Sequence, residues 1–223
     1  MQLFIDSADI DEVRRAAELG VISGVTTNPK LAASAEPGSF RSRVEEILEA
    51  CPGCPVSVEV LAESTEDMLA EAAEYAAWSE QIVVKIPMSL EGLPVIHTLE
   101  RERDVRVNVT CMMNSNQAAL ALLAGASFVS LFVGRINDLG CDADTEIAQT
   151  AEFIEQGGFR ARIIAGSMRQ TADIRRSFLA GAHIVTASYA LLANMAYHPR
   201  TVETIREFKE AWDSARDRGG LSS

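Results

Sequence analysis

Lys85 stands in the run Ile82-Val83-Val84-Lys85-Ile86-Pro87, an amine set among β-branched side chains. Only three of the twenty basic residues are lysines, Lys30, Lys85 and Lys209, and the rest are arginines. A lysine kept in an apolar run, in a chain that otherwise uses arginine, points to chemistry a guanidinium cannot perform. Burial disfavours the charged form of an amine, and the free amine is a nucleophile that condenses with a carbonyl to give a Schiff base. The competing reading is a buried salt bridge between Lys85 and Glu59.

Lys85 is one of a series. Asp6, Thr26 with Asn28, Ser57 with Glu59, Asn108 with Thr110, Ser130 with Phe132, Ser167 and Thr186 lie in or at the ends of other short β-branched runs. Within each run the alternate positions are apolar, as in Leu3/Ile5, Val56/Val58/Val60 and Val105/Val107/Val109. A strand points alternate side chains to opposite faces, so one parity is greasy and the other carries the polar groups. Buried polar groups cost free energy unless partnered, so such a set reads as a site rather than as filler. Arg135 and Arg169 follow two of the runs, and with Ser167 they suggest an anion such as phosphate; the competing reading is that these arginines are solvated or pair with acidic residues such as Asp138.

Other chemistries are less well supported. Asp6 and Glu59 could ligate a metal, but His97, His183 and His198 do not fall at inward strand ends, and no metal is expected. A pyridoxal cofactor also uses a lysine imine, but no cofactor is expected. Cys51-Pro-Gly-Cys54 has no second pair to complete a four-ligand zinc site, and it reads as incidental. Cys111 reads as packing, and Met112-Met113 as lining a mouth or capping a core.

These residues need a scaffold. The chain has 223 residues and a mass of 24.1 kDa, 48% hydrophobic and 23% charged, enough for a sizeable core and too apolar for disorder. No apolar run reaches the roughly 18 residues of a membrane span, and the start, MQLFIDSAD, does not read as a signal peptide. A net charge of −12 repels phosphate backbones, so nucleic acid is not an expected partner. Four cysteines do not make a disulfide framework. A cytoplasmic protein is expected.

Strands are expected at 2–6, 24–28, 56–60, 82–87, 105–110, 128–133, 162–167 and 183–188. Helical patterns fall at 9–18, 40–50, 65–78, 91–101, 114–124, 144–157, 169–180 and 189–197, with Ser64 placed to cap the third. Strict alternation implies parallel strands joined by right-handed crossovers, and eight units imply a closed (β/α)8 (TIM) barrel over residues 1–223 as a single domain. An open doubly wound sheet should show a glycine-rich turn after its first strand, and DSADI at 6–10 has no glycine. The stretch 201–216 is an additional C-terminal helix, with Val202, Ile205, Phe208 and Trp212 on one face. In a barrel the polar parity converges at the C-terminal end of the strands, where such folds hold their active sites.

The segments FIDSAD (4–9), GVTTNP (24–29), VSVEV (56–60), VVKIP (83–87), NVT with NQA (108–110 and 116–118), FVGR (132–135), SMR (167–169) and GAHIVTA (181–187) resemble the transaldolase family, specifically its small members and the similar fructose-6-phosphate aldolases. The resemblance runs nearly end to end. It implies a class I enzyme that moves a dihydroxyacetone unit from a ketose phosphate to an aldose phosphate, in metabolism of the pentose phosphate kind or a specialised sugar pathway. It implies that Lys85 is the Schiff-base lysine and that Asp6 takes the C4 hydroxyl proton. Glu59, with Thr110 and a water, would move protons during imine formation and hydrolysis. Thr26 would belong to the same substrate pocket. Asn28 and Asn108 would hold hydroxyls of the three-carbon fragment beside Ser130. Arg135, Ser167 and Arg169 would bind phosphate. It also implies a homo-oligomer, a pentamer or a decamer of two stacked pentamers, with the last helix on a neighbour.

Glu59 and Phe132 resemble transaldolases, whereas the aldolases carry Gln and Tyr there. A tyrosine hydroxyl could help protonate the enamine and release free ketone, and a phenylalanine cannot. Met112-Met113-Asn114, Leu131, Ser188-Tyr189 and Lys30 depart from the usual family pattern around the pocket mouth. The alternatives are an aldolase that releases the free ketone and a catalytically silent barrel that binds a sugar phosphate.

Overall fold

The computed structural model describes residues 1–27 and 40–217. Eight parallel strands close into a barrel in chain order. They are β1 (Gln2–Asp6), β2 (Ile22–Thr26), β3 (Val56–Glu59), β4 (Ile82–Pro87), β5 (Val107–Met112), β6 (Phe128–Phe132), β7 (Arg162–Gly166) and β8 (Ile184–Ala187). Around them run α1 (Ile10–Glu18), α2 (Phe40–Ala50), α3 (Thr65–Ala76), α4 (Gly92–Glu102), α5 (Ser115–Ala124), α6 (Val133–Asp138), α7 (Ala143–Gly157) and α8 (Thr171–Leu179). The expected (β/α)8 architecture and its extra C-terminal helix are both present.

Helix starts are written in the sequence. Asp9, Ser64, Asn114 and Asp142 each accept a backbone N–H from the first turn of the helix that follows, replacing a partner the helix itself cannot supply. Ser64 caps α3 as its position predicts.

The barrel interior has two layers. Phe4, Val83, Phe128, Ile164 and Ile184 form a buried cluster from five strands, each side chain contributing roughly 1.5–3 kcal/mol by leaving water. Gly24 lies against it, and a methyl group there would come 2.4 Å from Cζ of Phe4. The Phe4 ring therefore occupies the volume that a β2 side chain would take. Above this plug the same parity turns polar two residues further along β1, β2, β4, β6 and β8, at Asp6, Thr26, Lys85, Ser130 and Thr186, while β7 places Gly166 there.

Some elements differ from the sequence reading. β2 starts at Ile22 and ends at Thr26, and Asn28 lies outside the described residues. β5 begins two residues later than the β-branched run suggests and continues through Met112, with its pairing to β6 shifting register between Val109 and Met112. α6 is a single short segment with too few residues to show a period. Cys51 and Cys54, read as incidental, are joined by a disulfide, with Cα atoms 5.5 Å apart. The Gln81 side chain donates to both of their carbonyls, at 3.2 and 2.9 Å.

The chain falls into two compact units, Met1–Tyr189 and Ala190–Ser223. The second holds most of α9 (Tyr189–Ala196) and all of α10 (Pro199–Asp217). Val202, Ile205, Phe208 and Trp212 of α10 are each more than half exposed. No helix among the described residues is long and apolar enough to cross a membrane.

Candidate active site

Strand register assembles the site. Glu59 lies opposite Lys85, and Lys85 opposite Asn108, so three neighbouring strands present their groups in one row. On the strands leading round to β3, Asp6 lies opposite Thr26, and Thr26 opposite Ser57. Because the strands are parallel, a shared parity puts all of them at the same end.

The Lys85 ammonium is buried and lies 2.9 Å from Glu59 Oε2 and 2.9 Å from the carbonyl of Thr27, to which it donates. The ion pair that served as the competing reading is therefore part of the geometry. It does not enclose the lysine, because Lys85 and Glu59 both line an open cavity of about 370 Å³ together with Asp6, Asn108, Phe132 and Arg135. An ammonium has three donors, and these two contacts use two of them.

Asp6 sits on the opposite wall. The Thr26 hydroxyl donates to its Oδ1 at 2.9 Å and meets the Thr186 hydroxyl at 2.6 Å. Burial pushes the Asp6 carboxyl above its ordinary value, only partly opposed by the charge of Lys85 and the bond from Thr26. On β5 the Asn108 amide is held at both ends: its nitrogen donates to Ser57 Oγ at 3.2 Å, and its oxygen accepts from the Ser130 hydroxyl at 2.7 Å. The hydroxyl of Thr110, the next residue of that parity, is buried without a hydrogen-bond partner among the described residues.

The anion-binding candidates divide. Arg135 lines the cavity, its guanidinium 5.6 Å from the centroid of Phe132, and Ser167 lines it too. Ser167 follows the end of β7 in the left-handed region, with φ 59°. Its carbonyl accepts from the Gly134 backbone at 3.1 Å, where a side chain at Gly134 would come 2.3 Å from that oxygen. Arg169 is not on the cavity wall. Its guanidinium donates to Asp138 at 2.8 Å in an exposed pair.

Of the residues singled out in sequence, the structure brings together Asp6, Thr26, Glu59, Lys85, Asn108, Ser130, Phe132, Arg135 and Ser167 on one cavity. Thr110 adjoins this group on β5, Arg169 stands apart, and Asn28 is outside the described residues. Cys111 was not expected there. It lines the same cavity with an exposed side chain, and its φ of 62° breaks the strand alternation that would have marked it as packing. Burial, and after it the charge of Glu59, pushes its thiol up.

An eight-stranded parallel barrel with a buried lysine, two carboxylates and hydroxyl-bearing side chains on a cavity at the carboxyl ends of its strands has the make-up of a barrel enzyme. Within that class, the chain belongs to the Transaldolase/Fructose-6-phosphate aldolase family, which matches residues 3–220. It is 45% identical over 218 residues to a protein of Desulforudis audaxviator named "Probable transaldolase", covering 98% of this chain and all of that one. It is 42% identical over 216 residues to a protein of the same name from Oceanobacillus iheyensis, covering 97% and 100%. A third, from Dehalococcoides mccartyi, is 40% identical over 216 residues, with the same coverage. The chain is a transaldolase-family enzyme.

Proposed function

We propose that the chain is a Schiff-base transaldolase that moves a dihydroxyacetone unit from a ketose phosphate to an aldose phosphate. The observation that carries this reading is the row Glu59–Lys85–Asn108 facing an open cavity with Asp6 on the other wall. The Lys85 amine adds to the C2 carbonyl of the donor, and loss of water gives the imine. Glu59, 2.9 Å from the amine, takes and returns the protons of that step. An unpaired buried hydroxyl costs about 1–3 kcal/mol unless a bound group satisfies it, which suits Thr110 to holding the water that forms or hydrolyses the imine. Asp6 removes the C4 hydroxyl proton as the C3–C4 bond breaks. The aldose phosphate leaves, and the three-carbon enamine stays on Lys85. The imine nitrogen serves as electron sink. Asn108, fixed by Ser57 and Ser130, holds the hydroxyls of the fragment, and Asn28 joins it in this reading. The enamine then adds to an acceptor aldehyde, and hydrolysis frees the product.

Transfer is favoured over release by Phe132, which offers no proton to the enamine carbon. Incubation of a ketose phosphate with an aldose phosphate, followed by product masses, tests this. A sugar phosphate three carbons longer than the acceptor should dominate. If free dihydroxyacetone is the main product, the aldolase reading replaces this one. Arg135 supplies the phosphate grip at the cavity, with Ser167. In the same assay Arg135→Ala should raise KM for phosphorylated substrates at least about tenfold, or roughly 1.4 kcal/mol. Arg169→Ala should do less, because Asp138 already engages that guanidinium. Normal kinetics in Arg135→Ala would remove the phosphate site.

The exposed stripe on α10 supports a ring-shaped homo-oligomer, a pentamer or a stacked pair, in which this helix packs on a neighbour. Sedimentation should show a species of five or ten chains, and a monomer with α10 intact would reject the assembly. Sugar phosphates of the pentose phosphate kind and a cytoplasmic setting complete the proposal.

A further inference from the structure

Arginines gather at the other end of the barrel. Arg101 lies near the end of α4, Arg106 just before β5, Arg160 after α7 and Arg162 at the start of β7. All four line a cleft of about 510 Å³ on the face opposite the cavity of Lys85, together with Glu100 and Asp104. The lining therefore carries an excess of positive charge in a chain whose net charge is −12.

The arrangement is not accounted for by pairing within the fold. None of the four arginines forms an ion pair among the described residues, whereas Arg41, Arg169, Arg176 and Arg200 each do. Arg106 donates to the Glu80 carbonyl at 3.0 Å and Arg162 to the Gln2 side chain at 2.6 Å, which leaves most of their donors unused. Glu100 forms no ion pair with them among the described residues, although the charge of Arg106 acts on its carboxyl. Its carboxylate accepts from the Val107 and Ser127 backbones, each at 2.6 Å, and from the Ser127 hydroxyl at 3.0 Å, tying the starts of β5 and β6 together. Burial pushes the Glu100 carboxyl up despite these bonds.

Two further observations bear on the cleft. His183, behind Ile163, is pushed down by burial and then by the charges of Arg162 and the N-terminal amine. Gly125, ending α5 with φ +106°, has Arg101 Nε 2.7 Å from where a side chain would begin. The glycine that stops the helix thus also gives Arg101 its seat. Arginines near helix C-termini commonly serve the last carbonyls. Here neither Arg101 nor Arg160 makes a hydrogen bond of that kind among the described residues.

The geometry points to a second anion site on the N-terminal face of the barrel, in which Arg101, Arg106, Arg160 and Arg162 bind a small phosphorylated compound. Planar guanidinium groups grip phosphate oxygens with paired hydrogen bonds, and the Phe159 ring adds an apolar wall for the body of such a ligand. The site is separate from the reaction, since its arginines reach no residue of the catalytic row.

Pyrophosphate is a suitable probe, titrated calorimetrically into the Arg135→Ala protein so that the phosphate grip of the catalytic cavity is already weakened. Binding should persist there. Adding Arg101→Ala and Arg160→Ala, both exposed positions whose loss should leave the fold intact, should weaken it at least about tenfold, the loss expected from removing charge-assisted bonds. The Arg101→Ala/Arg160→Ala protein with native Arg135 should keep its turnover. The site is overturned if the Arg135→Ala protein binds no pyrophosphate, or if it binds equally with and without the two added substitutions.

Discussion

Lys85→Arg should fold and should have no measurable turnover. Arginine keeps a cation opposite Glu59, whose carboxylate lies 2.9 Å from the Lys85 amine, so the buried negative charge stays compensated. Removing the cation altogether, as in Lys85→Met, would leave Glu59 uncompensated at a cost of about 3–5 kcal/mol. That variant would confound chemistry with stability, and Lys85→Met with Glu59→Gln is the better neutral control. A guanidinium stays protonated and is not a nucleophile, so no covalent intermediate forms. The loss should exceed the roughly 10²–10⁴-fold that follows removal of acid–base assistance alone. Borohydride added with a ketose phosphate should place one three-carbon unit on Lys85 of the native chain and none on Lys85→Arg. A label on Lys30 or Lys209 would transfer the assignment elsewhere and sink this mechanism.

Most of that site was legible because parallel strands obey two simple rules. Alternation divides each strand between faces, and parallel closure brings the same ends together. Asp6, Thr26, Glu59, Lys85, Asn108 and Ser130 follow from those rules alone. The residues that escape are those where the backbone departs from an extended strand. Cys111 reaches the cavity through a positive φ at a register shift, which the β-branched pattern of VNVT does not announce. Ser167, picked out in the sequence with the polar series, shares no parity with Ile164 and Gly166, the residues of β7 that face inward, and reaches the cavity instead through its left-handed φ. The pairing of Arg169 with Asp138, the competing reading for that arginine, rests on α6, six residues long, which holds Asp138 beside the loop after β7. The arginine cleft was also hidden. Its four members are scattered from 101 to 162, and only closure of the barrel brings the starts of β5, β6 and β7 to one place.

Asp6→Asn should lower kcat by about 10²–10⁴-fold while leaving imine formation on Lys85 intact. Asparagine has nearly the shape of aspartate and still accepts from the Thr26 hydroxyl, which donates to Asp6 Oδ1 at 2.9 Å. It cannot take a proton from the C4 hydroxyl, so the carbon–carbon bond stays closed. Trapping with dihydroxyacetone, which needs no such cleavage, should proceed as in the native chain. The pH behaviour follows from the raised carboxyl. Acting as a base, Asp6 must be ionised, so native kcat should fall as pH drops through a value above the ordinary carboxylate range, and this limb should vanish from what activity Asp6→Asn retains. Stability should move the other way. A carboxyl whose pKa is raised on folding adds stability that is fully present below its unfolded value, near 4, and is lost as pH rises through the folded value. At neutral pH the native protein therefore holds a desolvated charge that Asp6→Asn lacks, and the variant should melt at a higher temperature there, with the advantage shrinking in acid. A variant that loses trapping together with turnover would make Asp6 a support for the lysine rather than the base. A variant with unchanged kcat would remove Asp6 from the reaction.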